Sequence, residues 1–250
     1  MTLLTGRRLL SRTKTLEFLG ERMEKAVEKS RSLYLSPGQP RTQVETSLRE
    51  ISTPPDIIPE LAKLIESSTT GAALFRSPEG GFLVFPPFPL SSDSSHSSVV
   101  IEPLQAILEH HYTIAFILVR LGSYAVGVSE GENLLSSKVG TGLVHGRHRK
   151  GGSSAHRFER HRDKQIEYFL TRVCQHAREH LQPREKALDY IVYGGAWTTI
   201  ELLHKQCPFL ERLDVAALPP LLDIPEPRQP VLKTAVSRVF SSTFIEWQDD

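Results

Sequence analysis

TIAFILVRLGSYAVGVSEGENLLSSKVGTGLV, residues 113–144, decides the fold. Thr113–Leu121 is an apolar run bounded by turn residues and reads as a buried strand. Gly122-Ser123 forms a two-residue hairpin turn, and Tyr124–Ser129 is the returning strand. Gly131 and Asn133 mark a second turn, after which Leu134–Val144 supplies a third strand. Downstream, helical spacing covers about 154–181 and stops before Pro183. Asp189–Tyr193 then reads as a strand, Thr198–Lys205 as a helix and Leu213–Leu218 as a last strand. The order β-β-β-α-β-α-β is a meander followed by crossovers. It specifies an α/β fold (an α+β mixed sheet) with helices packed on it, the order of RNase H-like folds.

Upstream the pattern is looser. Residues 14–34 carry apolar positions at helical spacing, and Pro37-Gly38-Gln39-Pro40 ends them. Shorter helices are expected around 41–51 and 56–67. Ala72–Arg76 and Gly81–Phe85 form a strand pair about the Pro78–Gly81 turn. The segment SSDSSHSS, residues 91–98, is small and polar and reads as a linker. The expected division is therefore a smaller N-terminal helical and hairpin region over 1–98 and a main domain over 99–250.

Composition narrows the class. The chain has 250 residues, 39% hydrophobic and 24% charged, as expected of a soluble globular protein. No apolar run approaches the roughly 20 residues of a membrane helix, so no membrane partner is expected. The N-terminus lacks the apolar core of a signal peptide. The two cysteines, Cys174 and Cys207, form no CxxC motif and no disulfide scaffold, and Cys174 on an apolar helical face reads as a buried small hydrophobe. A reducing, cytoplasmic setting follows.

Charge is concentrated in HGRHRKGGSSAHRFERHRDK, residues 145–164. Seven Lys or Arg face two acids there, a surplus of five positive charges in a chain whose net charge is +1. Such a cluster attracts polyanions. The Gly151-Gly152 pair lets backbone approach a bound group closely. It sits between the third strand and the long helix, whose second half carries the apolar stripe Ile166, Phe169, Leu170, Val173, Cys174, Ala177 and Leu181. The first half has no comparable stripe, so it is expected to project. Ser153 or Ser154 suits the N-cap. The N–H groups of that helix start can bind an anion or a developing oxyanion. Arg147, His148, Arg149, Lys150, Arg157, Arg160, Arg162 and Lys164 can hold RNA phosphates on either side.

Other chemistries fit less well. No GxxxxGK[ST] phosphate loop is present, and the G-x-S-x-G elbow lacks its final glycine. His145 with His148, or His176 with His180, has zinc-like spacing, but the neighbours are basic and no HExxH occurs, so no metal and no cofactor are expected. The two hairpin strands lack the clustered carboxylates of a metal-dependent nuclease.

FRSPEGGFLVFPPFPL, ILVRLGSYAVGVSEGE and SKVGTGLVHGRHRKGGSS, followed by a basic helix, resemble the central domain of the eukaryotic and archaeal class I peptide release factors. The closer resemblance is to the Vms-like release factors in their short actinobacterial and Chloroflexi form, over roughly residues 70–225. The resemblance implies ribosome rescue and quality control. Peptidyl-tRNA would be hydrolysed on stalled large ribosomal subunits, with the loop in the RNA-walled peptidyl transferase centre. The sequence does not fix the oligomeric state, for which a monomer is the default expectation. It implies that Gly151, Gly152, Ser153 and Ser154 are the catalytic positions. These families carry a Gln just after the glycines; here Ser153, Ser154, Ala155 and His156 follow, and the nearest glutamine is Gln165. The Pelota-like relatives, which share the fold without the loop, make a non-catalytic ribosome-binding or hibernation-like role the alternative.

Overall fold

Side-chain alternation along the first strands buries both faces of a sheet. The computed structural model describes residues 4, 6–24, 28–146 and 155–249. It divides into two units, Met1–His110 with Ser237–Asp250, and His111–Val236. The first unit contains β1 (Arg8–Leu10), α1 (Arg12–Glu24), β2 (Arg31–Leu35), α2 (Arg41–Glu50), α3 (Ile58–Glu66), β3 (Ala72–Ser77), β4 (Gly80–Phe85), β5 (Ser94–His96) and α4 (Glu102–Glu109). The second contains β6 (Thr113–Arg120), β7 (Ser123–Glu130), β8 (Asn133–Thr141), α5 (Ala155–Leu181), β9 (Tyr190–Gly195), α6 (Trp197–Gln206), α7 (Pro208–Glu211) and β10 (Ala216–Ala217). The helix α8 (Gln229–Val239) then leads to β11 (Ser242–Gln248), which belongs to the first sheet.

The first sheet has the order β1-β11-β4-β3-β2-β5 with every pairing antiparallel. Leu33, Leu35, Leu74, Leu83 and Trp247 pack on one face with Val44, Leu48, Leu61 and Ile65 of α2 and α3. Tyr34, Phe75, Phe82, Val84 and Phe244 point the other way and pack with Leu19 of α1 and Leu104 and Leu108 of α4. The two-residue period of the strands produces this division. Three expectations are corrected here. Residues 31–35 are a strand rather than the end of a helix, because the chain turns at Lys29, whose φ is +72°. The Ser-rich segment is not a free linker: β5 pairs with β2, and the Asp93 carboxylate accepts hydrogen bonds from the Ser36 N–H, the Ser36 hydroxyl and the Gln39 amide. The division falls at His110 rather than at residue 98, and the C-terminal strand lies between β1 and β4.

The second sheet has the order β10-β9-β6-β7-β8, a three-strand antiparallel meander with β9 and β10 added in parallel. This is the mixed sheet and the β-β-β-α-β-α-β order expected of an RNase H-like fold, with the short α7 added before the last strand. Ala115, Ile117, Val119, Val126 and Val128 meet Phe169, Leu170, Val173, Ala177 and Leu181 of α5 and Ile200 and Leu203 of α6. The apolar half of the long helix therefore packs on the sheet as its spacing requires. Gly194 and Gly195 close β9. Gly195 holds a φ of +117°, and a Cβ there would run into the Val119 carbonyl, so both the conformation and the space require glycine.

Cys174 and Cys207 are bonded, with Cα atoms 5.5 Å apart, tying α5 to the turn between α6 and α7. This corrects the expectation of an unpaired Cys174. The chain-entropy account of a cross-link between residues 33 apart gives about 3–4 kcal/mol at 25 °C. Denaturant unfolding with and without a reductant should differ by that amount. Equal stabilities would show that the bridge does not constrain the unfolded chain.

Candidate functional site

The connection from β8 to α5 is built by glycines and one run of hydrogen bonds. A Cβ at Gly140 would collide with the Tyr124 hydroxyl, and one at Gly142 would lie 2.6 Å from the Phe169 ring. Only glycine lets the end of β8 press onto these two aromatics, whose own rings meet edge to face at 5.9 Å. The Tyr124 ring stacks on His176 at 5.8 Å, and burial raises its phenol above the usual range. The Gly142 N–H donates to the Gly122 carbonyl at 2.9 Å, so the hairpin turn and the strand exit support each other.

Past Gly142 the chain runs back along α5 and is strapped to it. Arg172 donates to the Thr141 carbonyl. The His145 N–H donates to the Gln165 side-chain oxygen at 3.1 Å, and Arg162 Nε donates to the His145 carbonyl at 2.9 Å. Both backbone groups of His145 are thereby satisfied by helix side chains. His145 and His161 have ring centroids 6.3 Å apart. Further along the helix, the His176 imidazole lies 2.8 Å from the Glu179 carboxylate and holds it below the ordinary carboxylate range. Burial lowers His180. Among the described residues no group of three or more His, Cys, Asp or Glu is placed to hold a metal ion.

The expected site residues divide into three groups. Arg147, His148, Arg149, Lys150, Gly151, Gly152, Ser153 and Ser154 lie outside the described residues, as does the expected N-cap. Arg157, Arg160 and Lys164 are exposed on the first turns of α5. Arg162 is half-buried and serves the strap. Gln165, noted in the sequence only for its distance from the glycines, is the strap's acceptor. Sequence reading passed over Leu143, Tyr168 and Arg172. Arg172 and Gln165 carried no readable signal, since their partners are backbone atoms 20 or more positions away. Tyr168 did carry one: it is an aromatic placed off the apolar stripe.

The fold is thus a mixed-sheet domain whose third strand is fastened alongside a long, basic helix start. A model of the Actinobacteria/Chloroflexi VLRF1 release factor family matches residues 112–244, more than half of the chain, and the chain belongs to that family. It is 32% identical over 115 residues to peptide chain release factor subunit 1 of Archaeoglobus fulgidus, covering 46% of this chain and 28% of the relative. With the protein of the same name from Methanocaldococcus jannaschii the identity is 34% over 118 residues, again 46% and 28%. The subunit 1 of Methanococcoides burtonii matches at 28% over 198 residues, covering 68% and 48%. The chain therefore spans between about a quarter and a half of the relatives it matches. A crystal structure of the archaeal translation termination factor aRF1 aligns over 92% of this chain and 73% of its own, at 15% identity and a TM-score of 0.35.

If the strap fixes the approach to the glycine segment, Gln165→Ala should speed hydrogen exchange of the His145 amide roughly two- to tenfold, the loss of one ordinary hydrogen bond. The melting temperature should move little. Unchanged exchange at His145 would remove the strap from the account.

Proposed function

We propose that the protein is a ribosome-rescue release factor that hydrolyses peptidyl-tRNA on stalled large ribosomal subunits. The observation that carries this reading is the strapped connection. A Gly-Gly segment with basic flanks leaves from His145, held on both backbone groups by α5, and returns at Ala155, where that helix begins. Membership of a release factor family supports it. In the proposed reaction, water attacks the carbonyl carbon of the ester joining the nascent chain to the tRNA 3′ end. The bond to the 3′ oxygen breaks, that oxygen takes up a proton, and the peptide leaves with a free carboxyl group. Gly151 and Gly152 would allow backbone to reach the ester. N–H groups at Ser153 and Ser154 would stabilise the developing oxyanion, and a serine hydroxyl would orient the water in place of the missing Gln. Preorganised donors of this kind are worth about 10²–10³ in rate each. Arg157, Arg160 and Lys164 would contact RNA phosphates through salt-sensitive, sequence-independent attraction. The setting is the cytoplasm, on the ribosome.

A second reading follows from one observation, the Ser-Ser-Ala-His sequence where the family places Gln. It is a factor that binds the subunit and leaves the ester intact. Incubation with stalled nascent-chain–tRNA on isolated large subunits separates the two. The first reading predicts peptide release that falls roughly a hundredfold in a Gly151→Ala/Gly152→Ala variant. Release no faster than in that variant, with salt-sensitive subunit binding retained, would select the second.

A further inference from the structure

The helix α5 sorts its charges before it reaches the core. At 3.6 residues per turn, Arg157, Arg160, His161, Lys164, Tyr168 and Arg172 fall on one ridge, at intervals of three and four. Glu159, Asp163 and Glu167 repeat every fourth residue and fall on another. The basic ridge borders an open groove of about 350 Å³ between α5 and the segment leaving β8. Leu143 and Phe169 are its apolar lining residues, and His161, Lys164, Tyr168 and Arg172 line it from α5. Among the described residues no carboxylate lines it.

Two side chains there gain little from folding. Tyr168 and Leu143 are each 72% exposed. A wide-open aromatic between cations is poorly explained by stability, because burial is what stabilises an apolar ring. It is well explained by a ligand that is flat, apolar on its faces and anionic at its edge. A nucleotide is such a ligand: the base stacks on the ring while the phosphate meets the ammonium or guanidinium. In a duplex the base faces are already stacked, so the ligand must be unpaired.

We propose that this groove is a binding site for an unpaired nucleotide of single-stranded RNA. Tyr168 is the stacking platform, Lys164 and Arg172 supply the phosphate contacts, and the exposed Leu143 gives the base an apolar contact. The proposal rests on the release-factor reading for the presence of RNA at this face, and it adds a site that does not take part in ester hydrolysis. Its effect would be to anchor single-stranded RNA along α5 while the glycine segment works elsewhere.

The test is titration of a fluorescein-labelled single-stranded RNA octamer into the full chain, with a blunt RNA duplex as the second ligand. Tyr168→Ala should weaken octamer binding roughly five- to a hundredfold, the range for one base–aromatic stack. Tyr168→Phe should bind like the wild type. Lys164→Ala should lower the salt slope by about one, whereas Tyr168→Ala should leave that slope unchanged. Because Tyr168 is exposed, both tyrosine variants should melt with the wild type. Octamer binding that is absent, or indifferent to Tyr168→Ala, overturns the groove, as does a duplex that binds as tightly as the octamer. Release activity is read separately on large subunits. A failed groove with intact release leaves the proposed function standing, and a Tyr168-dependent octamer with no release refutes only the hydrolysis.

Discussion

The close contact between the end of β8 and α5 governs the rest of the second unit. Two glycines two residues apart, Gly140 and Gly142, leave room for Tyr124 and Phe169, so the strand end lies directly on the helix. Given that approach, Arg172 reaches the Thr141 carbonyl, and Gln165 and Arg162 reach both backbone groups of His145. The direction of the exit is then fixed, and with it the starting point of the glycine segment. Adding one methyl group at Gly142 would displace Phe169 and lift the strand from the helix. A core packing constraint and the direction in which the chain leaves β8 are here the same constraint.

The helix serves two purposes along its length. Its second half is held by the sheet, by α6 and by the Cys174–Cys207 bond. That anchorage lets the first half expose Arg157, Arg160 and Lys164 without an apolar stripe of its own. The meander β6-β7-β8 contributes to the same anchorage. Its hairpin turn at Gly122 both reverses the chain and accepts the Gly142 N–H.

Much of this was readable in the amino-acid order, and the parts that were not have a common cause. The meander and the long helix were legible because Thr113–Glu130 and Ile166–Leu181 are decided by local period and turn chemistry. Residues 31–35 were misread because the break before them rests on Lys29 with positive φ, a conformation that no glycine advertised. β11 was invisible because its partners, β1 and β4, lie more than 150 residues away. The Ser-rich stretch looked like a linker since its order comes from Asp93 and from pairing with β2, both long-range. At the site, the basic flank was legible as charge. Its separation into a strap (Arg162), an exposed ridge (Arg157, Arg160, Lys164) and an exposed aromatic (Tyr168) required the helix to be seen against its neighbour. The disulfide was missed because two cysteines 33 residues apart carry no spacing signal.

The central claim is that the segment leaving His145 carries backbone to the ester of peptidyl-tRNA. A reconstruction of the full chain bound to a stalled large subunit with its nascent-chain–tRNA in place tests it most directly. The account predicts residues 151–154 beside the tRNA 3′ end, with α5 running outward along RNA. Residues 151–154 lying away from the tRNA 3′ end, with the protein attached through another face, would contradict it.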